Sequence, residues 1–268
     1  MSVNKFGKTS KVVLEVARKD NANYLKDVYF TAPFKIMKPF IKPDGGLKVM
    51  ILTASAGIME GDTQEIEIKV NRESSLEYTS QAYEKIHKMK AGEAIRKTTI
   101  IVEEKAEMKY RPLPTIPFAD SAFRSETNIY LKDETSKFSM IEILTSGRVA
   151  TGESFKYRYY ISKTSIRIGE KLIYRDNSVF NPEIFGLKDI GMFEGYTHLG
   201  NLILCNYNIG DEKIKNIREY IDNEADICVG ATRFSKYGIS IKILGSQSQK
   251  ILELCNYIIA NYIEREPI

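Results

Sequence analysis

Apolar and polar residues alternate with a period of two along most of this chain. In the segment 65–70 (EIEIKV), Ile66, Ile68 and Val70 fall on one face of an extended strand, and the charged residues fall on the other. The same alternation recurs in the segments 127–132, 155–162 and 165–169. Breaks come roughly every 8–12 residues, which is the spacing of an all-β domain. The pattern therefore predicts a chain built mainly of strands.

Denser apolar runs indicate strands that are covered on both faces. They occupy 47–55 (LKVMILTAS), 98–104 (TTIIVEE), 140–146 (MIEILTS) and 201–209 (NLILCNYNI). Turn-forming residues break the pattern at 42–46, 70–75 and 167–171. The segment 11–27 is mixed in charge and is interpreted as a solvated face.

Two helices are predicted, both in the C-terminal quarter. The segment 211–222 places three isoleucines on one face and has two acidic residues near its N-terminus, where the helix dipole favours them. The segment 247–265 has an apolar stripe at helical spacing. Between the two helices, the segments 226–234 and 238–245 predict a β-hairpin.

The chain shows no linker, low-complexity tract or clear internal repeat. We therefore expect a single domain over residues 1–268, which is long enough to bury a substantial core. Within it we expect a β-rich body at about 1–204 and an α+β layer at about 205–268.

Composition and charge fit a soluble globular protein, since 43% of the residues are hydrophobic and 28% are charged. The net charge of +4 is scattered, with no Lys/Arg block of the kind that binds nucleic acid or anionic lipid. Charged residues precede any long apolar run at the N-terminus, and no run approaches the ~18 residues of a membrane span. Cys205, Cys228 and Cys255 form no CxxC pair. We therefore expect a cytoplasmic protein with reduced thiols.

The sequence lacks the common catalytic and nucleotide-binding motifs. His87 and His198 are the only histidines, and neither accompanies a GxSxG nucleophile elbow. We interpret His198, in 195–201 (GYTHLGN), as a structural hydrogen-bonding residue in a tight turn. Two distant histidines and three unpaired cysteines do not form a zinc site. No segment matches the P-loop or the dinucleotide-binding fingerprint.

A set of polar residues at strand ends and turns remains, and a turn or a solvated surface accounts for most of them taken singly. Glu142 differs because it interrupts the apolar strand in 138–148 (FSMIEILTSGR). A carboxylate there is costly unless it is paired, lines a wet cavity or binds a cation. Arg148, six residues further on, is a candidate partner.

Five motifs follow one another along the chain: 55–62 (SAGIMEGD), 79–87 (TSQAYEKIH), 111–123 (RPLPTIPFADSAF), 142–155 (EILTSGRVATGESF) and 192–204 (MFEGYTHLGNLIL). Together they resemble the urease accessory protein family UreD, called UreH in some bacteria. The wording KIH and MFEGYTH is similar to the UreH branch of Helicobacter-like bacteria. The resemblance covers most of the chain up to about residue 204 and weakens in the C-terminal quarter.

The resemblance implies a non-catalytic protein that assists nickel insertion during the maturation of urease. Family members are expected to be mainly β, with a β-helix-like, two-layered sheet architecture and a few helices. They bind the accessory protein UreF and, through it, the GTPase UreG, and they dock on apo-urease. An internal polar tunnel would conduct Ni²⁺, so we expect transient Ni²⁺ and no tightly bound cofactor. The resemblance leaves open whether the protein is dimeric within that complex.

The resemblance also implies which residues line the nickel path. Family members often have an aspartate before the Gly-Arg motif where this chain has Glu142. The charge is kept but the side chain is longer, so the family's metal geometry does not transfer. The implied path consists of Asp62, Glu84, His87, Glu142, Glu153 and Asp176, with Arg148 as a residue of the tunnel wall.

Two other hypotheses stay open at this point. In the first, the protein is purely an interaction scaffold, and its interior carboxylates affect only stability. In the second, it is a hydrolase that uses a carboxylate pair such as Asp62 and Glu142, as glycosidases do.

Overall fold

A computed structural model describes residues 9–20, 22–222, 224 and 226–263. These residues contain two α-helices, α1 (Asp211–Ile221) and α2 (Ser248–Ile258); a π-helical turn, Ile259–Ile263, continues α2, and Val149–Thr151 forms a short 3-10 turn. The strands, in chain order, are β1 (Thr9–Lys19), β2 (Ala22–Phe30), β3 (Phe34–Ile36), β4 (Phe40–Ile41), β5 (Leu47–Thr53), β6 (Thr63–Val70), β7 (Ser75–Ser80), β8 (Glu84–Ile86), β9 (Ala94–Val102), β10 (Glu107–Arg111), β11 (Thr115–Pro117), β12 (Ala122–Leu131), β13 (Lys137–Thr145), β14 (Tyr159–Ile168), β15 (Lys171–Phe180), β16 (His198–Cys205), β17 (Ile227–Ser235) and β18 (Gly238–Gly245).

The strands form two sheets. Sheet A has the order β15-β14-β12-β9-β6-β1-β2, and sheet B has the order β17-β18-β16-β13-β10-β7-β5-β3, with β4, β8 and β11 beside it. From β5 to β14 the chain passes back and forth between the sheets, and the neighbouring strands laid down in this way are parallel. Each parallel crossover therefore contains a strand of the opposite sheet rather than a helix. The outer strands add antiparallel pairs, so both sheets are mixed.

The main hydrophobic core lies between the two sheets. Sheet A contributes Ile68, Ile100 and Ile129, and sheet B contributes Met108 and Phe138; all five are almost completely buried. Alternation places these side chains on the inner face and the charged neighbours on the outer face. Truncating one such side chain to alanine costs roughly 2–5 kcal/mol.

A second core covers the outer face of one half of sheet B. Isoleucines and leucines of β13, β16 and β18 pack there against the apolar faces of α1 and α2. Gly200 on β16 allows the close approach, because a Cβ atom at that position would lie 2.4 Å from Cγ2 of Ile251 on α2. The half of sheet B formed by β5, β7 and β10 contributes no residue to this second core among the described residues.

The prediction of a mainly β protein with a few helices, two of them in the C-terminal quarter, is confirmed. The sheets are mixed and not closed. The predicted hairpin is β17–β18, and it continues sheet B through β16, so the C-terminal layer shares a sheet with the body. The two predicted helices are present; residues 264 and 265, at the end of the second, lie outside the described residues. No helix in the described chain is both long and apolar enough to span a membrane.

The interpretation of 11–27 as a solvated face holds for only one face of the segment. Residues 11–19 belong to β1 and 22–27 to β2, and Val12, Leu14 and Val16 on the inner face are completely buried in the main core. The charged residues between them point outward, where Lys11 pairs with Glu67 of β6 at 2.7 Å. A period-two pattern with charges on only one face is typical of a half-buried strand.

Candidate functional site: a polar cavity between the sheets

The inner face of sheet A changes from polar to apolar along each strand. On β12, Ser125 and Thr127 precede Ile129, and on β14, Ser162 and Thr164 precede Ile166. Because the strands pair in register, these residues form transverse rows. The first row runs Gln64, Arg96, Ser125, Ser162 and Ser178, and the second runs Thr98, Thr127, Thr164 and Asp176.

Sheet B presents polar side chains opposite these rows. Glu142 on β13 is registered with Asn201 on β16, which is registered in turn with Lys242 on β18. With Tyr110 and Tyr160 they enclose a cavity of about 60 Å³ between the sheets. A space of this size with this many polar groups can hold water molecules.

Glu142 has the most unusual environment in the cavity. Its neighbours Ile141 and Ile143 pack under the helices on the outer face, so alternation turns the carboxylate inward. Among the described residues, it has no hydrogen bond and no ion pair. Burial raises the pKa of Glu142 to about 7, although the positive charges of Lys242 and Arg96 oppose this effect.

The second carboxylate of the cavity, Asp176, is fully partnered. It forms an ion pair with Lys242 that joins sheet A to sheet B. Ser178 donates a hydrogen bond of 2.6 Å to Oδ1, and Tyr174 donates one of 3.3 Å to Oδ2. Burial alone would raise the pKa of Asp176, but the charge and hydrogen bond of Lys242 outweigh it, so the net direction is downward.

Glu84 lies at the boundary between the cavity and the surface. Its carboxylate forms a two-pronged ion pair with Arg96, whose guanidinium lines the cavity. Nε of Arg96 also donates to Oε1 of Gln64 at 3.0 Å. Burial alone would lower the pKa of Arg96. The negative charge of Glu84 outweighs this effect, so the pKa of Arg96 is raised. On its other side, Glu84 lines a separate surface pocket of about 120 Å³ with Ser55 and Gly57.

Arg148 and Glu153 do not line the cavity, so the prediction that Arg148 pairs with Glu142 is wrong. Arg148 forms a two-pronged ion pair with Glu153, and its guanidinium stacks 4.2 Å from the ring centre of Phe118. Gly147, with φ of +135°, lets the chain turn back so closely that a Cβ atom there would lie 2.2 Å from the carbonyl oxygen of Glu153. The turn therefore directs Arg148 away from the interior.

His87 and Asp62 also have structural partners outside the cavity. Nε2 of His87 is 3.0 Å from the carbonyl oxygen of Ala56, and its ring packs against Phe118. Oδ2 of Asp62 accepts a hydrogen bond from the backbone N–H of Met59 at 2.8 Å, which closes a turn. Since Asp62 does not line the cavity that contains Glu142, the structure gives no support to a carboxylate pair of these two residues.

His198 is a strand residue rather than a turn residue. It begins β16, and its Nδ1 is 2.8 Å from the hydroxyl of Thr197. Burial lowers the pKa of His198, which favours the neutral ring.

Of the predicted path residues, Glu142 and Asp176 line the cavity and Glu84 adjoins it. Arg96 and Lys242 were not predicted, and neither were the rows of Ser and Thr. The recurring S/T-x-T-x-I pattern of β12 and β14 was the available signal. Within the described ranges, no three His, Cys, Asp or Glu side chains converge as a metal site.

Comparisons with known proteins agree with the motif pattern. A family model described as UreD urease accessory protein matches residues 8–266. The chain is 39% identical to the urease accessory protein UreD of Acetivibrio thermocellus over 256 residues, or 95% of this chain and 97% of the relative. It is 34% identical to UreH of Helicobacter pylori strain G27, over 94% of each chain, and 32% identical to UreH of Helicobacter hepaticus. The chain belongs to the UreD family of urease accessory proteins.

Proposed function

We propose that this protein acts in urease maturation as a non-catalytic scaffold and that its inter-sheet cavity conducts Ni²⁺ to apo-urease. Membership of the UreD family supports the role in maturation. The observation that carries the nickel path is Glu142, a carboxylate with no protein partner in the described chain, facing a polar cavity. In a core without a ligand to bind, such a group would be costly to keep.

The donor chemistry favours passage over storage. Carboxylate, hydroxyl and amide oxygens hold Ni²⁺ less firmly than a closed set of imidazoles and thiolates. Arg96 and Lys242 neutralise Glu84 and Asp176, so Glu142 is the carboxylate left to attract a cation. The two positive charges also limit how tightly the cation is held. A conducting site has to bind strongly enough to admit the ion and weakly enough to release it.

Glu84 is the proposed entrance. It lines a surface pocket on one side and contacts Arg96 of the cavity on the other. A cation that displaces Arg96 from Glu84 would gain access to the polar rows behind it. The proposed path therefore consists of Glu84, Glu142 and Asp176, while Asp62, His87 and Glu153 have the structural contacts described above.

The proposed partners are UreF-like and UreG-like accessory proteins and apo-urease. A GTPase partner fits a chain that has no phosphate-binding motif of its own. In the alternative, the protein only joins these partners and no metal crosses it. The conduit and the scaffold differ in what an interior carboxylate variant does to nickel loading.

The test is the variant E142Q, which removes the charge of Glu142 and keeps its size. Each variant is co-expressed with apo-urease and its accessory proteins, and the nickel content and activity of the purified urease are measured. The conduit predicts a loss of tenfold or more, with partner co-purification unchanged. E170Q is the matched control, because Glu170 lies exposed in the turn between β14 and β15. Normal nickel loading by a folded E142Q protein would favour the pure scaffold.

A further inference from the structure

An open groove runs along α2 on the outer face of sheet B, where the helical cover ends. It has a volume of about 480 Å³. Leu252, Asn256, Ile259 and Ala260 form its helical side, and their spacing places them on one face of the helix. The span from Leu252 to Ala260 corresponds to about 12 Å along a helix axis, which matches three or four residues of an extended peptide.

One side of the groove is apolar. Leu252 and Ile259 face Ile141 and the proline-flanked Leu113. Leu252 and Leu113 are only partly buried, and the neighbouring Asn256 and Ala260 are exposed, whereas Ile141 and Ile259 are buried. These surfaces suit aliphatic side chains of a bound segment.

The floor and the opposite side are cationic. Among the described residues that line the groove, Lys42, Lys48, Lys109 and Arg111 are cationic and Glu77 is the one carboxylate. Lys109 has partners of its own, including Glu107 at 3.6 Å. Glu77 is already shared, since Nζ of Lys42 lies 3.1 Å and Nζ of Lys48 lies 2.8 Å from its oxygens. Arg111 is therefore the lining cation for which no described carboxylate supplies an ion pair.

Arg111 is the residue whose bonding is incomplete. Its guanidinium donates to the hydroxyl of Ser139 at 2.7 Å and to the carbonyl oxygen of Tyr110 at 3.3 Å. Within the part of the chain that the structure describes, it has no carboxylate partner. Desolvation lowers the pKa of Arg111, which shows that the charge is held in a costly position. A planar guanidinium with unused donors binds a carboxylate through two parallel hydrogen bonds.

We infer that this groove binds a segment of a partner protein in which an Asp or Glu is flanked by aliphatic residues, with the carboxylate on Arg111 and the aliphatic side chains against Leu252 and Leu113. The charge of the groove favours such an acidic segment over a basic or purely apolar one. This inference does not depend on nickel conduction. Pro112, Leu113 and Ile143 line both the groove and the inter-sheet cavity, but Arg111 and Asn256 line only the groove, so their variants change no residue of the cavity wall.

The test places the photo-cross-linker p-benzoylphenylalanine at Ala260 in the full-length protein, co-expressed with apo-urease and its accessory proteins. After irradiation, the linked peptide is sequenced by mass spectrometry. We expect a segment of another protein that carries Asp or Glu between aliphatic residues. The same cross-linker at Ile190, which is 94% exposed, is the positional control and should not yield that segment.

Charge variants then test the mode of binding. R111Q should lower the cross-linking yield at least tenfold, whereas R175Q, on the exposed outer face of sheet A, should not. Asn256 is exposed, so N256E and N256K leave folding intact. N256E should lower the cross-linking yield, because it adds a negative charge beside the bound carboxylate, and N256K should preserve it. The inference would be overturned by a linked segment without carboxylates, by a cross-link to a second copy of this chain, or by no cross-link at all. A cross-linking yield that is unchanged in R111Q and N256E would also overturn it.

Discussion

Among single residues, Glu142 has the most unusual environment, because its burial disfavours the charged form of the carboxylate. Burial raises the pKa of Glu142 from its ordinary value of 4.5 to about 7. The folded protein therefore holds this proton more tightly than the unfolded chain does. Stability contributed by the protonated form is complete below about pH 4.5 and is lost as the pH rises towards 7.

The variant E142Q should consequently be more stable than the parent protein at pH 8, by on the order of 1–3 kcal/mol in the free energy of unfolding. At pH 4.5 the difference should nearly vanish, because the parent carboxyl is then largely neutral in the folded state. Urea unfolding at the two pH values measures both quantities. If E142Q were equally stable or less stable than the parent at pH 8, the carboxylate would have a stabilising partner that the structure does not show.

Removing the charge of Glu84 should destabilise the protein, in contrast to removing the charge of Glu142, because Glu84 forms an ion pair with Arg96. Both side chains are largely buried, with 20% and 12% exposure, so E84Q leaves a buried guanidinium without its counter-charge. We expect a loss of about 3 kcal/mol in the free energy of unfolding. The double variant E84Q/R96M should recover part of this loss, since it removes the uncompensated charge. The exposed pair Glu134–Lys236 is the control, and E134Q should change stability little.

Glu142 is a costly carboxylate in an apolar strand, as its sequence context predicts, but its predicted partner is wrong. Arg148 was the predicted partner because it lies only six residues after Glu142 in the sequence. The chain, however, turns at Gly147, and the side chain of Arg148 reaches Glu153 instead. Such a reversal depends on the backbone conformation of one glycine, which spacing alone does not specify.

At the scale of elements, alternation predicted strands well, but it could not predict which strands are neighbours. The polar rows exist because β9, β12 and β14 pair in register as parallel strands. Read within one strand, Ser162 and Thr164 are ordinary polar residues of a half-buried strand. Only the register places them beside Ser125 and Thr127 and turns scattered hydroxyls into the wall of a cavity.

The contact between α2 and β16 gives a test of the second core. In G200A, the added methyl group would overlap Cγ2 of Ile251, and we expect a loss of about 1–3 kcal/mol in the free energy of unfolding. The double variant G200A/I251A should lose less than the sum of its two single variants, because the methyl fills space that the truncation opens. G230A on β17 is the control, since nothing lies within 4 Å of a Cβ atom there. Additive losses in the double variant would mean that Gly200 and Ile251 do not share this contact.

At the scale of the whole molecule, two mixed sheets divide their interface into an apolar half and a polar half. The apolar half supplies stability, and the polar half contains Glu142, Asp176 and their cations. The sequence predicted the family and the mainly β architecture, which the comparisons and the structure confirm. It could not predict the cavity, because its wall is assembled from side chains more than a hundred residues apart, such as Arg96 and Lys242.

We propose that Ni²⁺ crosses this cavity, and a reversible chemical block of the cavity tests this proposal. A cysteine is introduced at Ser162, which lines the cavity, in a C228S background that removes the exposed thiol. Cys205 and Cys255 are buried, and burial raises the pKa of both thiols, so they react slowly. A benzyl methanethiosulfonate reagent then fills the space, and a reductant removes it.

The measurement is the nickel transferred to apo-urease by the purified complex before modification, after modification and after reduction. We predict that transfer by the S162C/C228S protein falls at least tenfold on modification and recovers on reduction. The matched control is S165C/C228S, in which the cysteine lies on the opposite face of the same strand and its modification should leave transfer unchanged. Undiminished nickel transfer by a fully modified S162C/C228S protein would show that Ni²⁺ does not pass through the cavity.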